Sequence, residues 1–155
     1  MGSQKSTARM SYLSLHYHLI FSTKNRRPQI SEAWQAGLWE YLGGTVKGLE
    51  GVPEAIGGVG DHVHLLVGLR ATHRLADFLR ELKKASSTWV HEEIGNRRFA
   101  WQDSYAAFTV SATARSRVRR YIGNQAEHHR KQDSREELIE LLRRAGLAFD
   151  PQFLE

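Results

Sequence analysis

The chain has 155 residues, a formal net charge of +5 at pH 7 and no cysteine. Its length is that of one domain, and the lack of cysteine excludes disulfides, thiolate metal ligands and a cysteine nucleophile. The sequence shows neither a membrane-spanning apolar run nor a secretory signal, so we expect a cytoplasmic protein with no membrane partner. The basic charge favours a polyanionic partner, although a solvated basic face is the plain alternative.

The N-terminal part predicts a tail, a strand and a helix. We expect residues 1–10 to be a flexible tail and residues 11–155 to form one domain. Residues 12–23 are rich in aromatic and β-branched residues, which predicts a strand. Ser31 is a suitable N-cap for a helix with apolar residues at 3.6-residue spacing, which we expect to end near residues 51–53.

Two strands and a second helix follow. Residues 55–59 and 62–69 predict strands joined by a tight turn at Gly60 and Asp61. We expect Thr72 to cap the next helix. The apolar stripe of that helix consists of Leu75, Phe78, Leu79, Leu82 and Trp89.

The last third predicts one more strand and two helices. We expect a strand at residues 108–110, a helix over about 113–130, and a last helix that begins with a capping box of Ser134 and Glu137 and stops at Gly146. The order strand, helix, strand, strand, helix, strand predicts an α+β, ferredoxin-like (split βαβ) fold. In it, helices cover one face of an antiparallel sheet and further helices are appended at the C-terminus.

The pair His62 and His64 is a candidate metal site. The two histidines are two residues apart on a predicted strand, so both imidazoles leave the same face while Val63 points to the other. Neighbouring imidazoles can share one divalent ion, with the remaining ligands coming from elsewhere in the fold. The alternative is a pair of partly exposed sheet histidines without a ligand role.

Tyr121 and Gln125 are four residues apart on a predicted helix and therefore share a face. A tyrosine that attacks phosphorus needs a metal or a base, and a glutamine beside it can offer a carbonyl oxygen to the same metal. The alternative is that Tyr121 belongs to the buried stripe of an amphipathic helix. For His128 and His129 we favour an interaction with the helix C-terminus over catalysis.

These residues together resemble a known family. The segments that carry the resemblance are Gly57-Gly58-Val59, Asp61-His62-Val63-His64-Leu65-Leu66, Trp101-Gln102 with Tyr105 and Phe108, and the string from Tyr121 to Arg130. In this order and chain length they strongly resemble the one-tyrosine HUH-class transposases of insertion sequences that move as single-stranded DNA. The likeness runs from about Tyr12 to the C-terminus, and no metal or nucleophile position departs from the motif.

The resemblance implies a mechanism and partners. His62, His64 and Gln125 would bind Mg²⁺ or Mn²⁺, and Tyr121 would attack the scissile phosphate to leave a 5′-phosphotyrosine and a free 3′-hydroxyl. A later 3′-hydroxyl could reverse the step, which is strand transfer and not hydrolysis. The family recognises single-stranded DNA with hairpin ends and forms homodimers that share active sites between subunits.

Four basic residues are candidate DNA contacts, and two other functions are possible for the chain. The basic residues we expect at DNA are Lys83, Lys84, Arg119 and Arg120. One rival is a replication-type or host-domesticated HUH nuclease. Another is a non-catalytic module that binds single-stranded nucleic acid by stacking bases on a platform of Tyr12, Tyr17 and Phe21.

Overall fold

Four strands form one antiparallel sheet in the computed structural model, which describes residues 11–151 and residue 154. The strands are β1 (His16–Ser22), β2 (Val52–Val59), β3 (His62–Gly68) and β4 (Ala106–Val110). They are ordered β2-β3-β1-β4, so the long central pairing joins β1 and β3. This order confirms the ferredoxin-like prediction, while the predicted tail at residues 1–10 lies outside the described residues.

Five α-helices cover the sheet within the described part of the chain. They are α1 (Glu32–Gly48), α2 (Leu75–Trp89), α3 (Arg115–Gly123), α4 (Gln125–His128) and α5 (Ser134–Arg144). Short 3₁₀ turns occur at Lys24–Arg26 and Ala112–Ala114, and a π-helical turn at Val90–Ile94 follows α2. Within this part of the chain, no helix combines the length and apolar character needed to cross a bilayer.

The two faces of the sheet have different partners. Odd-numbered residues of β1 and β3 point into the main core with α1 and α2, where Leu19 and Leu65 are fully buried. Even-numbered residues, such as His64 and Leu66, point to the opposite face, where Leu66 packs with Ile122 of α3. The predicted C-terminal helices therefore cover the second face of the sheet, and the space between them and β3 contains both histidines.

Helix starts follow the predicted caps only in part. The Ser31 side chain accepts a hydrogen bond from the Ala33 amide at 3.2 Å, which confirms that cap. The prediction for Thr72 is wrong, because α2 begins at Leu75 without a side-chain cap. His73 fixes the preceding turn instead, since its ring contacts the Arg70 amide and the Leu49 carbonyl at 2.8 and 2.7 Å.

The predicted helix over residues 113–130 is broken into α3 and α4. Asn124, with φ −103° and ψ 22°, leaves the helical region between Gly123 and Gln125. A Cβ added at Gly123 would meet nothing within 4 Å, so no neighbouring element packs closely on this glycine. Strand β2 and helix α3 do pack closely at Gly57, where an added Cβ would overlap the carbonyl oxygen of Ile122.

The cap of α5 lies one residue before the predicted one. Asp133 accepts from the Glu136 amide at 2.8 Å, and Glu136 accepts from the Asp133 amide at 3.4 Å. The predicted box of Ser134 and Glu137 is therefore wrong, and both of those side chains are buried against the sheet. The predicted stop is confirmed, because Gly146 follows the helix with φ +70°.

Replacing Gly57 should disturb the tyrosine helix. We expect Gly57→Ala to lower the free energy of unfolding by about 1–3 kcal/mol, because α3 must move away from β2 to admit the methyl group. Gly44→Ala is the matched control, since its Cβ meets nothing within 4 Å on α1 and alanine favours a helix by about 1 kcal/mol. Urea denaturation measures both, and equal stability of the two variants would contradict the contact.

Candidate active site

His62 and His64 lie side by side on the site face of β3. Both are buried, with 1% and 0% of their surface exposed, so they are not the partly exposed sheet histidines of the alternative. The Nδ1 atom of His62 lies 2.7 Å from Asp61 Oδ1, and its Nε2 atom lies 3.1 Å from Gln125 Oε1. The Nδ1 atom of His64 lies 2.8 Å from Nε2 of His18 on β1.

Glu137 of α5 is the group that joins the cluster. Its Oε1 atom lies 2.9 Å from His64 Nε2, 3.3 Å from His62 Nε2 and 3.3 Å from His129 Nε2. Its Oε2 atom accepts hydrogen bonds from the Tyr121 hydroxyl and, at 3.1 Å, from the Gln125 amide. Burial opposes its charge, but the hydrogen bonds from the three histidines hold the pKa of Glu137 well below its usual range.

Tyr121 stands over the histidines of its own chain. Its ring centroid lies 5.7 Å from that of His64 and 6.0 Å from that of His18, both at steep angles. The neighbouring Ile122 is the residue of α3 that is fully buried, whereas Tyr121 is half-buried with its hydroxyl in the site. Burial, followed by the adjacent Glu137 carboxylate, raises the pKa of Tyr121, so the free chain holds its nucleophile candidate as a neutral phenol.

The histidines differ in charge because their partners differ. Burial disfavours the charged form of His62, but Asp61 and Glu137 outweigh it and raise the pKa of His62 to about 9. Burial dominates at His64 and His18, and it lowers the pKa of His64 to about 4 and that of His18 to about 3. At neutral pH, in the absence of metal, His62 is therefore an imidazolium, whereas His64 and His18 are neutral.

The donor set fits a divalent cation. Ligand atoms from His62, His64, His129 and Glu137 all lie within 4.8 Å of one another. The carbonyl oxygen of Gln125 lies 3.1 Å from His62 Nε2 and 3.0 Å from His129 Nε2. Imidazole nitrogens with carboxylate and amide oxygens are ligands of divalent metals. The three predicted ligands are thus brought together, and two further donors join them.

Sequence reasoning missed those two donors, His129 and Glu137. The pattern of Ser134 and Glu137 matches a capping box, which assigned the glutamate to the helix end. His129 was interpreted as a partner of the helix C-terminus, but its Nε2 atom faces Gln125 and Glu137. The available signal was the adjacent His128-His129 pair close behind Gln125.

Comparison with known proteins decides the family. Residues 11–125 match the family described as IS200-like transposases. The chain belongs to this family. It is a transposase of the one-tyrosine HUH class, as the sequence predicted, and members of such a family are enzymes that cut DNA and transfer strands. His129 and Glu137 both lie beyond the matched segment.

The chain is similar to one characterised transposase and to two solved structures. The ISDra2 transposase TnpA of Deinococcus radiodurans is 29% identical over 119 residues, which cover 72% of this chain and 84% of that protein. A crystal structure of a putative transposase from Deinococcus radiodurans R1 is 30% identical with a TM-score of 0.62, covering 74% of this chain and 93% of the other. The structure of a REP-associated tyrosine transposase bound to a REP hairpin is 17% identical with a TM-score of 0.58, covering 78% and 72%; it shows likeness of fold.

Two of the basic residues predicted at DNA have partners within the transposase. Lys83 donates to the carbonyl oxygens of Gln102, Asp103 and Ser104 at 2.7, 3.0 and 2.7 Å. Arg119 donates at 3.1 Å to Glu54 of β2, which also accepts from Arg115. Lys83 is partly buried by these contacts, whereas Lys84, Arg119 and Arg120 are exposed. Their contact with DNA stays a prediction.

The stacking platform expected of a non-catalytic nucleic-acid-binding module does not form. Phe21 is 2% exposed and packs edge-on against Trp101 in the main core, with ring centroids 4.8 Å apart. Tyr17 packs against the same core, because both residues have odd numbers on β1. Tyr12 alone of the three is well exposed, so the prediction of a three-residue platform is wrong.

The pKa values of the buried histidines are shifted in opposite directions, and these shifts predict how the stability of the protein depends on pH. In metal-free transposase, His18 and His64 resist protonation when folded, so stability should fall from about pH 6.5 to 4.5. His62 holds a proton more tightly when folded, so stability should also fall from about pH 6.5 to 8. Above that range Lys83, whose pKa is lowered to about 8 by burial, should make stability rise with pH, because it loses its proton more readily when folded.

Denaturant unfolding in EDTA across this range measures the profile. Each histidine contributes a slope of at most about 1.4 kcal/mol per pH unit, with a maximum expected near pH 6.5. In His62→Gln the alkaline limb should flatten while the acid limb remains. A stability that climbs steadily from pH 6.5 to 8 would contradict the charge assignment.

Proposed function

We propose that this transposase cleaves single-stranded DNA at insertion-sequence ends with the Tyr121 hydroxyl, in a site that holds a divalent metal. One observation carries the proposal. The Tyr121 hydroxyl and the Nε2 atoms of His62 and His64 contact the two oxygens of one carboxylate, Glu137. The nucleophile candidate and the metal-capable cluster therefore meet at one point.

The residues that would hold the metal are those that the resemblance implies, with two additions. His62, His64 and Gln125 offer two nitrogens and an amide oxygen, and Glu137 and His129 offer a carboxylate and a third imidazole. Mg²⁺ and Mn²⁺ are the candidates, and the imidazole-rich set favours Mn²⁺ because Mg²⁺ prefers oxygen ligands. A bound cation would supply Lewis-acid polarisation of the scissile phosphate.

The protein's own groups account for the covalent step. The Tyr121 oxygen, oriented by its hydrogen bond to Glu137, bonds to phosphorus and releases its proton to solvent, and the bond from phosphorus to the 3′-oxygen breaks. The leaving 3′-oxygen takes a proton from solvent. A 5′-phosphotyrosine and a 3′-hydroxyl result, and attack by another 3′-hydroxyl reverses the step and joins two strands.

The DNA partner is proposed to be a single strand with a hairpin. The REP-associated relative was solved with a REP hairpin, but its 17% identity supports the fold more than the substrate. The 29% identity to an insertion-sequence transposase over 84% of that protein favours insertion-sequence ends over the domesticated or replication-type alternative.

The chain geometry favours a tyrosine that acts with the histidines of its own subunit. The hydroxyl of Tyr121 bonds to Glu137 of the same chain, and Ile122 packs closely on Gly57. Glu54 further fixes α3 to β2 through Arg115. The shared sites implied by the resemblance would require α3 to leave these contacts in a homodimer.

A covalent adduct tests the cleavage chemistry. Denaturing gels of the protein incubated with 5′- and 3′-labelled hairpin DNA and Mn²⁺ should show a protein-linked oligonucleotide. Tyr121→Phe, His64→Ala and EDTA should each reduce the adduct by at least about a thousandfold. Tyr41→Phe, which alters an exposed tyrosine of α1, is the control and should keep full activity. Cleavage without any protein-linked product would refute the proposal.

Mixing two inactive variants tests which subunit supplies the tyrosine. Differently tagged Tyr121→Phe and His64→Ala chains are co-expressed, and any heterodimer is purified through both tags. If each chain uses its own tyrosine, the mixed species should form no adduct, because every chain lacks one required group. Recovery of adduct would show that α3 exchanges between subunits.

A further inference from the structure

A cavity opens beside the site, between the sheet and α5. Its volume is about 330 Å³, near the lower end of small-ligand pockets. His62 and Glu137 form the wall shared with the active site, and most of the remaining wall is apolar. Its lining includes the aromatic residues Tyr105, Phe108 and Phe149, together with Leu138 and Leu142 of α5.

Arg26 lines the same cavity in a strained backbone. It and Asn25 both have positive φ, at 52° and 58°, a region that non-glycine residues seldom adopt. The Asn25 amide is held at 3.1 Å by the side chain of Gln102. Such strain persists only where surrounding contacts impose it, and it is concentrated at functional sites.

One hydrogen-bond donor of the Arg26 guanidinium, its Nε atom, is not used. Its NH1 group donates to Ser22 Oγ at 3.0 Å and to Ser134 Oγ at 3.2 Å. Its Nε atom is buried and finds no hydrogen-bond partner among the described residues. A buried donor without a partner costs free energy, which an incoming acceptor would recover.

Arg26 is also connected to the candidate metal ligands. Ser134 Oγ accepts from Arg26 and donates to Asp61 Oδ2 at 3.1 Å, and Asp61 Oδ1 contacts His62 Nδ1 at 2.7 Å. A group bound by Arg26 would therefore lie close to the site where a phosphate reacts.

We propose that this cavity holds an unpaired nucleobase of the DNA strand next to the scissile phosphate, with Arg26 contacting the phosphate of that nucleotide. The chemistry of the walls selects this ligand. Aromatic and apolar side chains accept a flat base, and a guanidinium binds a phosphate oxygen. The inference rests on the proposed single-stranded DNA substrate.

An abasic scan tests the subsite with the full-length protein. Tyr121→Phe prevents cleavage, and fluorescence anisotropy measures its affinity for a labelled strand in which each nucleotide around the cleavage site is replaced in turn by an abasic residue. At one position, the abasic replacement should lower the affinity of the protein for the strand by at least about tenfold. A flat profile would overturn the proposal without need of any cavity variant.

Variants then connect that position to the cavity. Ala106→Leu adds bulk on the site face of β4. It should weaken binding of the intact strand about tenfold, but it should not change binding of the strand that is abasic at that position. Ala145→Leu, at an exposed position after α5, is the matched control. Leu142→Phe fills the cavity from the opposite wall if Ala106→Leu does not fold.

The arginine contact has its own control. Arg26→Gln should weaken binding several-fold more than Arg27→Gln, because both remove one positive charge but Arg27 is exposed outside the cavity. Equal losses would overturn the phosphate contact.

An abasic effect that persists in both cavity variants would overturn the base subsite. A normal covalent adduct alongside either result would leave the proposed function standing, whereas failure of the adduct would refute that function itself.

Discussion

One buried carboxylate determines how the second face of this protein is arranged. Glu137 is 3% exposed, and a charge so buried is tolerated only with close partners. It has them in His62, His64 and His129, and it also accepts from Gln125 and Tyr121. Removing it would leave several buried donors unpaired. The last helix therefore completes the site, although it lies outside the segment that matches the transposase family.

The sheet makes this convergence possible. Alternation along β3 directs His62 and His64 away from the core and towards α3–α5, while Val63 packs on the other side. The order β2-β3-β1-β4 places β3 beside β1, so His18 of β1, diagonal to His64 in the register, contacts His64 Nδ1 on the same face. Gly57 on β2 then admits the backbone of α3, which brings Tyr121 over the histidine pair. The core face supplies stability and leaves the opposite face available for polar groups.

The fold and the central motif could be predicted because they depend on local patterns. The period of two along β3 gave the common face of His62 and His64, and the string after Tyr121 carried the family resemblance. Glu137 could not be found in this way, because its partners are remote in sequence and Asp133 took the capping role by a shift of one residue. The break at Asn124 was likewise not predicted, although Gly123 beside it is a poor helix former. Phe21 was misassigned because its aromatic character suggested stacking, whereas its strand parity placed it in the core.

The most direct test of the account is the affinity of the protein for Mn²⁺ when the charge of Glu137 is removed. Glu137→Gln keeps the shape of the side chain, and Glu136→Gln makes the same change one residue earlier, at an exposed position of the capping box. Isothermal titration calorimetry of both variants, with unfolding curves to confirm that they are folded, separates a ligand from a structural residue. The account predicts that Glu137→Gln weakens Mn²⁺ binding by at least about tenfold while Glu136→Gln binds as the parent does. Equal affinity in the two variants would show that Glu137 does not hold the metal, and would contradict its central place in the site.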